Sequence, residues 1–164
     1  MQHTCDLSVV LIARDEEKHI GDCIRSVLEA ASGLDAELLL VDSASRDRTV
    51  DIARGLGVRV LSIPPDVEPS AALGRSIGAR NCSGRYIQFL DADMTVDSHW
   101  LRAALDYMAT AEKATAAVAG EIQQNRTANP YREYRRRNLA RMTWTRAASP
   151  PTPPAPRNGS WTRT

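Results

Sequence analysis

Two aspartates one residue apart, Asp91 and Asp93, close the apolar stretch Tyr86-Ile87-Gln88-Phe89-Leu90. Neighbouring like charges repel, so such a pair at a strand end calls for a compensating cation. Carboxylate oxygens suit hard divalent ions such as Mn2+ or Mg2+, and an ion held there keeps open positions that a diphosphate can fill. Asp-x-Asp is also an ordinary turn or cap pattern, so the weight falls on the chain's other polar clusters. Arg14-Asp15-Glu16-Glu17 follows one apolar run, and Asp42 closes another, ahead of Ser43-Ala44-Ser45-Arg46-Asp47-Arg48-Thr49.

The elements that must carry these clusters are readable. Leu7–Ala13 is nearly continuous apolar and β-branched, as a strand buried on both faces should be. Ile20, Cys23, Ile24, Val27, Leu28 and Ala31 then recur at helical spacing, with Gly33 as the stop. Glu37–Val41 predicts a second strand ending on Asp42, and Asp47 the N-cap of a short helix that Gly57 stops. Val58–Ile63 predicts a third strand ended by Pro64-Pro65, and Ser70 to about Asn81 a helix with Leu73 and Ile77 inward. The Asp pair closes the fourth strand, and Asp97 or Ser98 caps a helix with Leu101, Ala104, Leu105 and Met108 on one face. Ala116–Gly120 reads as a fifth strand.

Strand and helix alternate from the start, which predicts an α/β, Rossmann-like fold: a mostly parallel sheet with helices on both faces. Ligands of such sheets bind beyond the carboxyl ends of the strands, at the topological switch point. Arg14-Asp15-Glu16, Asp42 and the Asp91/Asp93 pair all fall at such ends. Three clusters far apart in sequence are therefore expected to converge on one crevice.

Composition sets the outer limits. A chain of 164 residues with 43% hydrophobic and 25% charged residues suits about one soluble domain. Its net charge of +1 hides an asymmetry. Residues 1–133 hold all 20 acids and 14 basic residues, whereas 134–164 hold seven arginines and no acid. Three cysteines without metal-type or redox-type spacing read as free thiols in a reducing compartment. With no apolar run of membrane-spanning length and no leader-like start, the expected location is cytoplasmic. After residue 120 the signal fades. The stretch 126–146 is basic and predicts a helix, and 147–164, with five of the nine prolines, predicts an irregular, disordered tail.

Four stretches in series resemble the family-2 glycosyltransferases: Ser8–Ile20, Leu39–Thr49, Gly74-Arg-Ser-Ile-Gly78 and Gly84–Asp93. The resemblance spans roughly residues 7–125 and implies the nucleotide-sugar-binding part of a GT-A fold, assigned here to 1–125. It implies transfer of a sugar from a nucleotide-diphosphate donor to a hydroxyl acceptor (lipid, saccharide or small molecule), with Mn2+ or Mg2+ and inversion at the anomeric carbon. By the same resemblance, Asp42 holds the nucleotide base, and Ala13, Arg14 and Glu16 wall the base and ribose. Arg75 lies near the diphosphate, Asp91 near the ribose and metal shell, and Asp93 ligates the metal. Ile12 stands where a proline is common and Asp15 where an asparagine is usual, so the base-binding wall departs from the family pattern. The acceptor half should follow, yet only Glu121 and Glu133 come after the fourth helix. No general base is assigned, 126–146 is taken as a remnant of the acceptor half, and the tail is read as either a natural end or a truncated or frame-shifted one.

Plainer and rival readings remain for several residues. Glu17 fits a helix N-terminus, Arg75 a solvated side chain, Cys23 core packing, and His3, His19 and His99 surface positions. The basic stretch with Tyr131 and Tyr134 reads as a solvated helix face rather than a nucleic-acid surface. Peripheral contact with the inner face of a membrane is its alternative. At the level of function, one rival is a catalytically incomplete nucleotide-binding fragment lacking the acceptor half. Another is a haloacid-dehalogenase-like phosphatase with Asp91-Ala92-Asp93-Met94-Thr95 as nucleophile motif, although that motif should follow the first strand and not the fourth.

Overall fold

The computed structural model describes residues 3–111 and 115–122. Met1–Gly120 forms one compact unit. The expectations for 126–146 and 147–164 lie outside the described residues.

Eight elements alternate along this unit: β1 (Cys5–Ala13), α1 (Ile20–Ala30), β2 (Ala36–Asp42), α2 (Thr49–Gly55), β3 (Arg59–Ser62), α3 (Ala71–Asn81), β4 (Gly84–Asp91) and α4 (Trp100–Thr110). The four strands form a parallel sheet in the order β3-β2-β1-β4. The order runs outward from β1 to β3, then restarts on the other side with β4, so the switch point lies between β1 and β4. β1 pairs with β2 from Leu7 opposite Ala36 to Ala13 opposite Asp42, and with β4 up to Ile12 opposite Asp91. This register brings the ends of β1, β2 and β4 level.

The central strand alternates between two cores, as period-2 side chains must. Leu7, Val9, Leu11 and Ala13 pack with Ile20, Cys23, Ile24 and Val27 of α1, Ala53 of α2 and Leu101 of α4. Val10 packs on the opposite face with Leu39, Val41 and Ile63, against Leu73 and Ile77 of α3. Both faces are therefore covered, and apolar strands survive as nearly unbroken runs. The α3 contact is closer than a leucine-faced helix allows. Gly74 and Gly78 are its buried residues, while Leu73 and Ile77 are only half-buried. A Cβ at Gly74 would stand 3.0 Å from Ile12 Cγ2, and one at Gly78 would collide with Val10 Cγ1.

Four details differ from the sequence expectation, the first being the N-cap of α4, which is His99 and not Asp97 or Ser98, with the Asp97 carboxylate accepting from the His99 amide at 2.9 Å. The fifth strand is absent among the described residues: 115–122 carries no strand, and Ala116–Ala119 are exposed. Alanine favours a pleated ladder weakly and buries little surface there. Leu28 is 47% exposed, at the edge of the α1 stripe and outside the core. The N-cap of α2 is Arg48, one residue after Asp47, and the Asp47 carboxylate reaches forward to accept from the Thr49 amide at 2.9 Å.

Candidate functional site

The β1–α1, β2–α2 and β4–α4 loops meet at the carboxyl end of the sheet. Ala13 is buried at the end of β1, and its carbonyl accepts from the Ser43 amide at 2.8 Å. Beside it, Asp42 is 2% exposed, and both its oxygens lie 3.3 Å from the Ser45 amide. One shared donor is thin support for a buried carboxylate and leaves both oxygens able to accept more. Asp42 and Arg14 line a cleft of about 430 Å3, with Ser45, Arg46, Arg54 and Ser62 on its polar side and Val50, Ile63, Pro65 and Val67 on its apolar side. An apolar wall with convergent polar groups is the usual make-up of a small-molecule site.

A second group gathers at the switch point. Asp91 and Asp93 are exposed at the end of β4, and between them Ala92 is buried, its amide donating to the Ile12 carbonyl at 3.0 Å. The alternation of the strand thus continues into the turn, with the alanine inward and both acids outward. Arg75, on the first turns of α3, donates to Asp91 Oδ1 at 2.7 Å, with the two side chains 39% and 51% exposed. Glu16 has no such partner among the described residues. Partial burial, then the charge of Asp93, push its carboxyl above the ordinary value of 4.5, and Asp47 and Asp15 add to this while His19 opposes it. Beneath, the buried Cys23 thiol is pushed up to about 12 by burial and by the charges of Asp93 and Glu16. A thiol so disposed stays protonated, in keeping with a packing role. Its sulfur lies 4.0 Å from the Asp91 carbonyl.

The expected site residues therefore share one end of the sheet but form two neighbourhoods. Arg14 and Asp42 line the cleft; Arg75 pairs with Asp91, and Glu16 feels Asp93. Among the described residues, no group of three His, Cys, Asp or Glu side chains is placed to enclose a metal ion. Sequence reasoning missed Arg46, Arg54, Ser62 and the Pro65–Pro69 stretch of the cleft. Pro64-Pro65 was legible only as a strand terminator, and arginines in an Arg-rich chain carry no distinguishing signal. His3, His19 and His99 are exposed. No helix among the described residues is long and apolar enough to cross a membrane.

The Glycosyl transferase family 2 model matches residues 8–156. The chain belongs to this family. It is 34% identical over 95 residues to glucosyl-3-phosphoglycerate synthase of Mycolicibacterium smegmatis, covering 54% of this chain and 31% of that protein. It is 30% identical over 107 residues to 4,4'-diaponeurosporenoate glycosyltransferase of Staphylococcus haemolyticus, covering 62% and 28%. The chain thus spans under a third of the length of these curated relatives. Among solved structures, glucosyl-3-phosphoglycerate synthase from Mycobacterium tuberculosis in complex with Mn2+, UDP and phosphoglyceric acid superposes with a TM-score of 0.54 at 32% identity, over 66% of this chain and 40% of that one. S. aureus TarS 1-349 superposes with a TM-score of 0.57 at 19% identity, over 63% and 32%, and shares the GT-A fold. The dehalogenase-like reading falls with this assignment, because Asp91-Ala92-Asp93 ends the fourth strand in the chain.

Proposed function

We propose that this chain binds a nucleotide-diphosphate sugar and is the donor-binding part of a glycosyltransferase that passes the sugar to a hydroxyl acceptor. The observation that carries the reading is that a half-apolar cleft floored by Asp42 shares the carboxyl end of the sheet with Glu16, Asp91 and Asp93, of which only Asp91 has an arginine partner among the described residues. The base and ribose occupy the cleft. The buried Asp42 carboxylate accepts from a base N–H and Arg14 walls the cleft, while Ala13 and Glu16, of the same strand end and loop but outside the cleft lining, flank the ribose. The diphosphate lies toward the switch point, where Arg75 supplies a positive charge and fixes Asp91. UDP in the mycobacterial relative's structure supports uracil as the base.

The donor set fits a divalent cation shared with the ligand. Asp93 is exposed and unpaired among the described residues, Asp91 keeps one oxygen clear of Arg75, and Glu16 adds negative charge beside them. A protein that offers only one or two carboxylates and leaves the remaining positions to phosphate oxygens is what Mg2+-type and Mn2+-type sites require. Asp93 would hold the ion with Asp91 at its flank; when bound, it neutralises charge on the departing diphosphate. Asp42 and Arg14 orient the donor, and Arg75 keeps the Asp91 carboxylate in place. Inversion at the anomeric carbon, with the base that takes the acceptor's proton lying outside 3–122, completes the reading.

A second reading, nucleotide binding without transfer, rests on the described residues, where Asp42 and Arg14 line a cleft and no base for the acceptor's proton is assigned. Release of UDP from UDP-glucose, measured with and without Mn2+ in wild type and Asp93→Ala, separates the two. Metal-dependent release that the substitution abolishes supports the enzyme. Metal-dependent UDP affinity without release supports the binding module, and absence of any UDP affinity removes both.

A further inference from the structure

The loops after β1 and β2 are joined by a reciprocal set of hydrogen bonds. Three successive amides of the first loop donate to side chains of the second: Asp15 to Ser45 Oγ at 2.9 Å, Glu16 to Thr49 Oγ1 at 2.8 Å and Glu17 to Asp47 Oδ2 at 2.9 Å. Two amides of the second loop answer, Arg46 donating to Asp15 Oδ1 at 2.7 Å and Arg48 to Glu17 Oε2 at 3.2 Å. The side chains of residues 15 and 17 are thereby consumed in joining the loops, whereas that of Glu16 makes no hydrogen bond to the second loop. Both loops also hold a residue at positive φ, Asp15 at 54° and Ala44 at 58°. Such a backbone persists only where its surroundings over-determine it.

The members are unequal. Asp15, Glu17 and Arg48 are exposed, so water can replace them at small cost. Thr49 is fully buried, and its hydroxyl both accepts from the Glu16 amide and donates to Asp47 Oδ1. It is the joint between the clasp and the core, and removing its oxygen strands the Glu16 amide.

We infer that Thr49 is a positioning residue: through this clasp it fixes the β1–α1 loop in the conformation that presents Arg14 and Glu16 to the nucleotide. The inference rests on the nucleotide reading above. A loop already ordered spares the ligand the entropic cost of ordering it. The role predicts a loss of affinity that global stability does not explain.

The test uses the full 164-residue chain, with UDP and MnCl2 as the probe in calorimetry and amide hydrogen exchange as the second readout. Thr49→Val, nearly the same shape without the hydroxyl, should weaken UDP binding about tenfold and deprotect the Glu16 amide while β1 stays protected. Thr49→Ser should restore both. Should Thr49→Val fold poorly, Ser45→Ala at the rim should give a smaller loss of affinity in the same direction. Unchanged UDP affinity in Thr49→Val, or in Ser45→Ala where that variant stands in, overturns the inference, as does failure of Thr49→Ser to rescue. A wild-type chain that binds no UDP refutes the nucleotide reading; rapid exchange at 15–17 in wild type would then overturn the clasp as well, and slow exchange lost only in Thr49→Val would uphold it.

Discussion

The two ends of the same sheet handle their charges in opposite ways. At the amino end, Glu37 Oε1 accepts from the Ser8 hydroxyl at 2.6 Å, the Ser83 hydroxyl at 3.0 Å and the Ser83 amide, while the Gly84 amide donates to the buried Ser8 at 2.7 Å. Burial alone would raise the Glu37 carboxyl, but these hydrogen bonds and the charge of Arg59 hold it below 4.5. At the carboxyl end, burial and the neighbouring Asp93 raise Glu16 with no hydrogen bond to offset them. A polar cluster that satisfies itself is architecture. One that leaves like charges facing each other, as Glu16 and Asp93 do, is a candidate functional site, and a bound cation is the completion proposed for it.

Substitutions at the two ends should therefore separate cleanly. The largest effect is expected at Asp93→Ala, which should lower Mn2+-dependent UDP release from UDP-glucose at least about 100-fold with little change in the thermal midpoint. Glu37→Ala should do the reverse. It strands the Ser83 amide and should cost about 2 kcal/mol in urea unfolding, with UDP affinity intact. A loss of affinity there would break the division between the ends.

Gly78→Ala probes the seam between α3 and β1. Helix propensity alone would favour alanine by about 1 kcal/mol, but the new methyl meets Val10 Cγ1. Overpacking should dominate, leaving a net loss of about 1–2 kcal/mol in the same unfolding assay.

The smallest effect carries the sharpest sign. Glu37 ionises more readily in the folded chain, so its stabilisation is complete above its ordinary value of 4.5 and is lost as pH falls through the lower folded value. Glu16 is the mirror case. Its raised folded pKa means that the ionised form costs stability at neutral pH, and the cost disappears as pH falls below 4.5. In metal-free buffer at pH 7, Glu16→Gln should therefore raise the melting midpoint slightly. The gain should vanish on acidification.

The sequence makes the strands legible because β1 and β2 are buried on both faces and so read as apolar runs, each delivering an acid or an acid-rich loop at its end. The same run-based reading mistakes Ala116–Gly120 for a strand, since apolarity without β-branching does not specify a ladder. It places Leu73 and Ile77 of α3 inward, where they pack half-buried beside Val10, but it misses Gly74 and Gly78, because a glycine contact adds nothing to an apolar stripe. In the site, Asp42, Asp91 and Asp93 stand out as acids at strand ends. Arg46 and Arg54 of the cleft do not, and neither does the clasp, whose partners lie 30 to 33 residues apart and obey no period.

Mn2+ binding tests the central claim most directly, read from the paramagnetic resonance signal of the free ion as chain and UDP are titrated together. Wild type should take up one Mn2+ per UDP-bound chain, and Asp93→Ala should leave the ion in solution. Equal uptake by both, or none by wild type in the presence of saturating UDP, would contradict the account of the carboxyl end as a site completed by a cation.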